Sequence, residues 1–284
     1  MKNWKKLTIG GAGLVGLGIG LPLWLGCAQW NQETSTLVNQ LKEQAAPMTS
    51  KRVSFEKFDS LPNPVARYFR LVLKDGQPII KTASISQKGE FFLNEKWIQF
   101  EATQEFSGGP AAFVWDAKMN MNPLLKVRVR DALVDGKASM NAKILSLIPV
   151  MNMKGDKKLL SAALQRYLAE AAWFPTALLP SDKLSWSEID ENRALATLTE
   201  SGTTVSLEFR FNSKGEIEEV FSPSRFREVG GEFVPTPWGG RFTKFEVRTG
   251  MLIPVEGEVK WQLPKGAMPY WRGKIIEAKY IFVD

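Results

Sequence analysis

The stretch from Phe113 to Met121 alternates without a break. Phe113, Trp115, Ala117, Met119 and Met121 fall on one side; Val114, Asp116, Lys118 and Asn120 fall on the other. Period two is the repeat of a strand with one face buried and one wet, the habit of an antiparallel sheet. Leu125 to Arg130 repeats it, and strand signals return at residues 183–189, 194–199, 204–211, 216–221, 240–248, 255–262 and 274–282. Asp135-Gly136 is a strong hairpin signal. Asn94-Glu95-Lys96 and Asn212-Ser213-Lys214-Gly215 mark two further turns. The pattern predicts roughly ten or eleven strands. No strand–helix–strand rhythm appears, so the sheet is not parallel.

Helical periodicity interrupts the strands twice. Leu160, Leu164, Tyr167, Leu168 and Ala171 form one stripe over residues 157–172, ended by Pro175. A shorter stripe, Val65 with Tyr68 and Phe69, follows Pro64, a residue suited to a first helical turn. The expected class is therefore mainly β (α+β), with one mid-chain helix.

The N-terminus reads differently. Lys2, Lys5 and Lys6 precede an uncharged run from Leu7 to Cys27. Such a run is long enough to span a bilayer core, and leading lysines stay in the cytoplasm. This predicts an anchor or lipoprotein-type signal over residues 1–28 and a linker over 29–51, within which Thr34 to Met48 reads as a short helix or as linker. A single β-rich domain follows over 52–284, on the extracytoplasmic side of the inner membrane. Gly26-Cys27 also admits lipidation of Cys27, although Trp24 stands where a lipobox has leucine. Trp24 and Trp30 suit an interfacial aromatic belt. The Gly16/Gly20 pair reads as coincidence in a glycine-rich segment.

Composition removes whole classes of chemistry. The chain has no histidine, which excludes Ser-His-Asp and Cys-His catalysis and the usual transition-metal ligands. Its one cysteine lies at the membrane boundary, so the domain has neither an internal disulfide nor a thiol nucleophile. No cofactor motif is present. The net charge of +7 falls to +4 once the three leading lysines are set aside, and the charges are interspersed. No clustered basic face marks a nucleic-acid partner. Ten tryptophans and seventeen phenylalanines are a rich supply for a large core or an apolar cavity.

Three clusters are candidate sites, each with two readings. In Arg166–Pro180 the helix either plugs the sheet, with Trp173 and Phe174 in the core and Glu170 paired to an arginine, or forms a lid. As a lid it would line a cavity mouth with Trp173, Phe174, Leu178 and Leu179. Arg225 and Arg227 either hold an anionic headgroup or lie on a wet face beside Glu246 or Glu258. Pro235-Thr236-Pro237-Trp238-Gly239-Gly240 reads as a fixed loop that presents Trp238 or tucks it in. Trp271 looks like a rim aromatic after the turn at Pro264-Lys265-Gly266. Glu170 and Asp190 are a carboxylate pair that folding could bring together.

Several of these motifs resemble an uncharacterised bacterial membrane-anchored family, a domain of unknown function. They are Leu61-Pro62-x-Pro64-Val65-x-Arg67-Tyr68, the run Arg166-Tyr167-Leu168-Ala169-Glu170 with Trp173 to Pro180, Pro237-Trp238-Gly239-Gly240, and Tyr270-Trp271-Arg272-Gly273. That resemblance implies no catalytic residue. At the level of fold the chain resembles the half-barrels of periplasmic lipoprotein carriers. This implies a large curved antiparallel sheet with the mid-chain helix packed on or in its concave face.

The expected function is a membrane-tethered protein that binds a hydrophobic or lipid-like ligand without covalent chemistry. Trp173, Phe174, Leu178, Trp238 and Trp271 would meet the apolar part and Arg225 or Arg227 the head. One alternative is an envelope scaffold that binds another protein. Another is a carboxylate-dependent hydrolase of an envelope polymer, with carboxylates roughly 5–9.5 Å apart.

Overall fold

The computed structural model describes residues 7–45, 52–122 and 125–284, with side chains from Gly20 onward. A long helix, α1 (Leu7–Gln44), is followed by a 3-10 turn (Phe55–Ser60) and α2 (Asn63–Val72). Six strands follow: β1 (Ile80–Leu93), β2 (Lys96–Gly108), β3 (Ala111–Asn122), β4 (Leu125–Val134), β5 (Lys137–Ile144) and β6 (Ile148–Lys154). Then comes α3 (Lys157–Glu170), capped by the Asp156 side chain and run on through two 3-10 turns to Leu178. The second half holds β7 (Leu184–Asp190), β8 (Arg193–Glu200), β9 (Thr203–Phe211), β10 (Ile217–Val229), β11 (Glu232–Arg248), β12 (Met251–Leu263) and β13 (Gly266–Phe282).

All of these strands form one antiparallel sheet in the order β6-β5-β4-β3-β2-β1-β13-β12-β11-β10-β9-β8-β7. The last strand closes on the first, from Ile80 opposite Phe282 to Phe91 opposite Trp271, so the two halves join at the centre. The sheet curls into a half-barrel around α3. That helix touches β3, β4 and β5 on one side and β8, β9 and β10 on the other. A side chain added at Gly136, in the β4–β5 turn, would strike Ser201 in the β8–β9 turn. By strand direction these turns lie at opposite ends of the sheet. Their meeting shows the steep strand stagger that barrel-like curling requires.

Thirteen strands stand against the expected ten or eleven. The sequence reading missed β6 as a strand because this edge is exposed along almost its whole length and carries no alternation. Residues 235–240, expected as a loop, lie inside β11. Their prolines fit there because pairing with β12 begins only at Trp238, so Pro235 and Pro237 leave no donor missing on that side.

The packing of α1 was not foreseen. Residues 29–44, in the segment read as a linker or a short helix, continue the helix and pack on the convex face of β2, β3 and β4. Trp30 is fully buried there. Its ring lies under the Arg130 and Arg128 guanidiniums, 4.5 and 5.5 Å away, and the Lys143 ammonium at 5.6 Å. Its Nε1 donates to both Asp116 oxygens at 3.1 and 3.2 Å. Glu33 pairs with Arg130 at 2.8 Å. Burial works to raise the Glu33 carboxyl, but the Arg130 hydrogen bond and the charges of Lys143 and Arg130 outweigh it and hold it below the usual range. Leu41 closes a second small core with Ala112, Val114, Ala132 and Val134. The face of β3 and β4 expected to be wet is therefore covered in this region.

Desolvated cation–aromatic contacts contribute up to about 2 kcal/mol each, and truncating a buried Trp costs about 3–5 kcal/mol. Trp30→Ala should lower stability by an amount in that range, read by denaturant melts of the full chain in detergent. Hydrogen exchange should show protection lost mainly over residues 30–44. A depressed carboxylate stabilises above its unfolded range and loses that contribution as pH falls. Acidification below the ordinary glutamate range should therefore loosen α1 before the sheet.

Candidate functional site

The concave face carries an aromatic belt across six strands. Trp115 meets Phe100 edge-on at 5.7 Å, Phe100 stacks on Trp271 at 6.0 Å, and Trp271 lies 6.4 Å from Trp173. Beside them Tyr270 stacks on Trp261 at 5.6 Å, meets Phe91 at 5.7 Å and accepts a hydrogen bond from Trp238 Nε1 at 3.0 Å. Glycines make room for these rings: a Cβ at Gly273 would run into Trp271, and one at Gly89 into Phe100 and the Arg272 carbonyl.

Two β-bulges aim the side chains. On β13 the pairing passes from Val259 opposite Trp271 to Lys260 opposite Pro269, leaving Tyr270 as the extra residue. A bulge re-aims its side chains, and here Met268, Tyr270 and Trp271 all pack on the main core. On β10 the pairing passes from Ser222 opposite Trp238 to Arg225 opposite Thr236, again with one extra residue. The parity change turns Arg225 and Arg227 inward. Arg225 lies over Trp238 at 4.8 Å and Trp261 at 5.4 Å, and Arg227 over Trp261 at 5.8 Å. Arg225 also donates to the Ala162 carbonyl of α3 at 3.2 Å. Neither arginine has a carboxylate partner among the described residues. The expected partner Glu246 pairs with Arg248 instead.

Trp173, Phe174 and Leu178, considered for a cavity mouth, lie in the packed core. Phe174 is fully buried against Phe106 at 4.5 Å, and the Leu178 carbonyl accepts from Trp186 Nε1. The aromatic pair ends α3 and fills the space under the curl, so polar substitutions there test folding and not binding. Trp238 is tucked in, at 2 % exposure. Trp271 is half-buried, as are Phe91, Phe233, Leu263, Met268 and Tyr270, all near the β1–β2, β10–β11 and β12–β13 turns. Together they make an apolar trough at one end of the concave face, with Arg225 and Arg227 on its flank. Two shallow depressions of about 450 Å³ lie elsewhere and are lined largely by charged and polar groups such as Asp190, Arg193, Glu90 and Arg272.

Glu170 belongs to a buried polar chain that ties α3 to the sheet. Trp115 Nε1 donates to Gln87, Gln87 to Gln104 and Gln104 to Glu170, at 2.8–3.1 Å. Arg166 holds Glu170 at 2.8 Å and Asp131 at 2.5 Å while lying over the Phe113 and Trp115 rings. Burial pushes the Glu170 carboxyl above its usual range despite the Arg166 charge. Asp190 lies apart, exposed on β7 and bound by Arg193. The structure thus separates Glu170 from Asp190 and gives Glu170 a fully occupied shell. Cys27 is exposed on α1, its Sγ 3.5 Å from Ser146 Oγ. No group of His, Cys, Asp and Glu suited to a metal occurs among the described residues.

A model for a family of unknown function, DUF6920, matches residues 59–280. No curated protein matches the chain. Among solved structures it is similar to a LolA superfamily protein from Nitrosomonas europaea, at 9% identity over 82% of this chain and 96% of that one. It is also similar to a putative outer membrane lipoprotein-sorting protein domain from Vibrio parahaemolyticus, at 4% identity over 70% and 85%. A DUF1329 family protein from Desulfovibrio piger matches at 8% over 71% and 86%. Each superposes with a TM-score of 0.39, a loose likeness from which no role is drawn.

Breaking a buried ion pair on one side costs about 3–5 kcal/mol. Arg166→Met should destabilise the chain by that order, since it strands Asp131 and Glu170. Burial already raises the Glu170 carboxyl, and without the Arg166 charge it takes up a proton more readily, so the variant should recover stability on acidification, read as melting temperature against pH.

Proposed function

The chain belongs to the DUF6920 family, whose function is unknown, and we propose that it is a membrane-tethered extracytoplasmic protein that holds a hydrophobic or lipid-like ligand without covalent chemistry. The observation that carries this reading is the trough. Phe91, Phe233, Leu263, Met268, Tyr270 and Trp271 stay half-buried at one end of the concave face. Apolar sites with a few placed polar groups are the usual form of a ligand pocket. Arg225 and Arg227, placed over the Trp238 and Trp261 rings, would meet an anionic head.

The tether rests on the uncharged run from Leu7 to Cys27 behind three lysines. Among the described residues no helix is long and apolar enough to cross a membrane, and the side chains of residues 7–19 lie outside that description. A lipid on Cys27 would anchor the chain at nearly the same point.

A second reading has its own support. The interior under the curl is filled by Trp173, Phe174 and Leu178, so the trough is a shallow apolar surface, and such surfaces also bind proteins.

Full-length protein in membranes containing a phospholipid with a diazirine in its acyl chain should give photo-adducts on Met268, Tyr270 and Trp271. The double variant Tyr270→Ser, Trp271→Ser should lose most of that labelling while still melting cooperatively. Adducts confined to residues 7–25 would count against a bound lipid. A discrete protein captured by a photoreactive residue at position 271 would favour the second reading.

A further inference from the structure

We infer that the end of the sheet carrying the β1–β2, β5–β6, β10–β11 and β12–β13 turns rests on the lipid bilayer, so that the trough opens directly onto lipid. This rests on the tethered reading and goes beyond it, because a tether alone says nothing about how the domain is turned.

The orientation follows from how α1 is docked. Gly26 packs on the β5–β6 turn, where a Cβ would strike Leu147 and the Ser146 carbonyl. Trp30 sits in its cage of Arg128, Arg130 and Lys143. Leu41 reaches Val114 and Val134. Gln44, at the end of the helix, accepts from the backbone N–H of Asp135 in the β4–β5 turn. The helix thus runs from one end of the half-barrel toward the other and is bound along the way. Its uncharged segment leaves the fold at the end of the sheet that the β1–β2, β10–β11 and β12–β13 turns share with the β5–β6 turn. From Gly26 back to Leu7 a helix rises about 28 Å, against a hydrocarbon core of about 30 Å. The β5–β6 turn would then sit at the membrane–water boundary.

The surface at that end fits such a boundary. Among the described residues, Leu147, Ile148, Val150, Val229 and Val234 expose their side chains there, Ile148 and Val150 by more than half. Trp24, exposed one helical turn before Cys27, is an interfacial type of residue at the same level. The turn residues themselves are polar at both ends, Asn94-Glu95 and Lys265-Gly266 here, Asp135-Gly136 and Thr249-Gly250 opposite, so the difference lies in the apolar side chains beside them. Val247, Ile281 and Ile189 are large apolar side chains exposed at the opposite end, spread over separate strands. Clustered exposed apolar side chains mark a contact surface. The bilayer is the occupant indicated because the chain's own uncharged segment enters it from that end. A bound lipid could then pass between trough and membrane without crossing water.

The test uses the full chain with Cys27→Ser, in liposomes of phosphatidylethanolamine and phosphatidylglycerol containing doxyl-labelled phospholipid. Single cysteines at Trp24, Leu147, Val229 and Val247 carry a bimane fluorophore. Quenching at Leu147 and Val229 that approaches that at Trp24, and exceeds that at Val247 several-fold, supports the inference. Quenching at Trp24 with Leu147 and Val229 no better than Val247 overturns it and leaves the tether standing. No quenching at Trp24 removes the membrane-spanning form of the tether, and the inference with it. Leu147 and Val229 shielded from soluble iodide yet unquenched by doxyl lipid would mean that a protein covers this end, which also overturns it.

Discussion

Arg166 lies between two buried carboxylates, over two aromatic rings, on the helix that the whole sheet wraps. A guanidinium in that position is tolerable only because Asp131 and Glu170 neutralise it and Gln104 fills the remaining valence of Glu170. The arrangement specifies position more than it adds stability. It fixes the height and rotation of α3 against β1 to β4, while Gln165 bonds Ser222 on β10 and Arg225 bonds the Ala162 carbonyl. An open sheet of this width has two free edges and no closure of its own. The helix between its halves supplies the closure, and the core beneath it follows.

That packing decides where function can reside. With Trp173, Phe174 and Leu178 filling the space under the curl, the deep part of the concave face is closed to a ligand. The available apolar surface is displaced to the end that α3 does not cover. The two bulges, on β10 and β13, serve this surface. One turns a pair of arginines onto tryptophan faces, and the other lines up Met268, Tyr270 and Trp271 on one side of a strand.

The convex face has a division of labour. Across the neighbouring strands β1, β13, β12, β11, β10 and β9 it is a ladder of alternating charge, Glu90, Arg272, Glu258, Arg241, Glu219 and Arg210, suited to water. From β2 to β4 it is apolar or charge-paired and covered by α1. Because the helix is caged at Trp30, the domain is held against its own N-terminal segment and does not swing on a flexible linker.

Local pattern alone determined the antiparallel class, most strand positions, the hairpin at Asp135-Gly136 and a helix over residues 157–172, of which α3 forms 157–170. Each of these depends on neighbours a few residues apart, and period and turn chemistry record such contacts directly. The lack of histidine is likewise read directly from the sequence, and no Ser-His-Asp or Cys-His constellation can be drawn from these residues. The apolar residues Val114, Ala132 and Val134 on the supposedly wet face were a legible sign that something covers it. Whether the aromatic residues were core or surface was not legible, because a buried Trp and a trough-lining Trp look alike in sequence. Only tertiary structure decided it, by spending Trp173, Phe174 and Trp238 on the interior and leaving Tyr270 and Trp271 half-covered. The facing of Arg225 and Arg227 was equally hidden, since one extra residue in a strand reverses every side chain beyond it and leaves no mark on composition. The partner of Trp30 lies about a hundred residues away, in a cage that exists only once β3, β4 and β5 have paired.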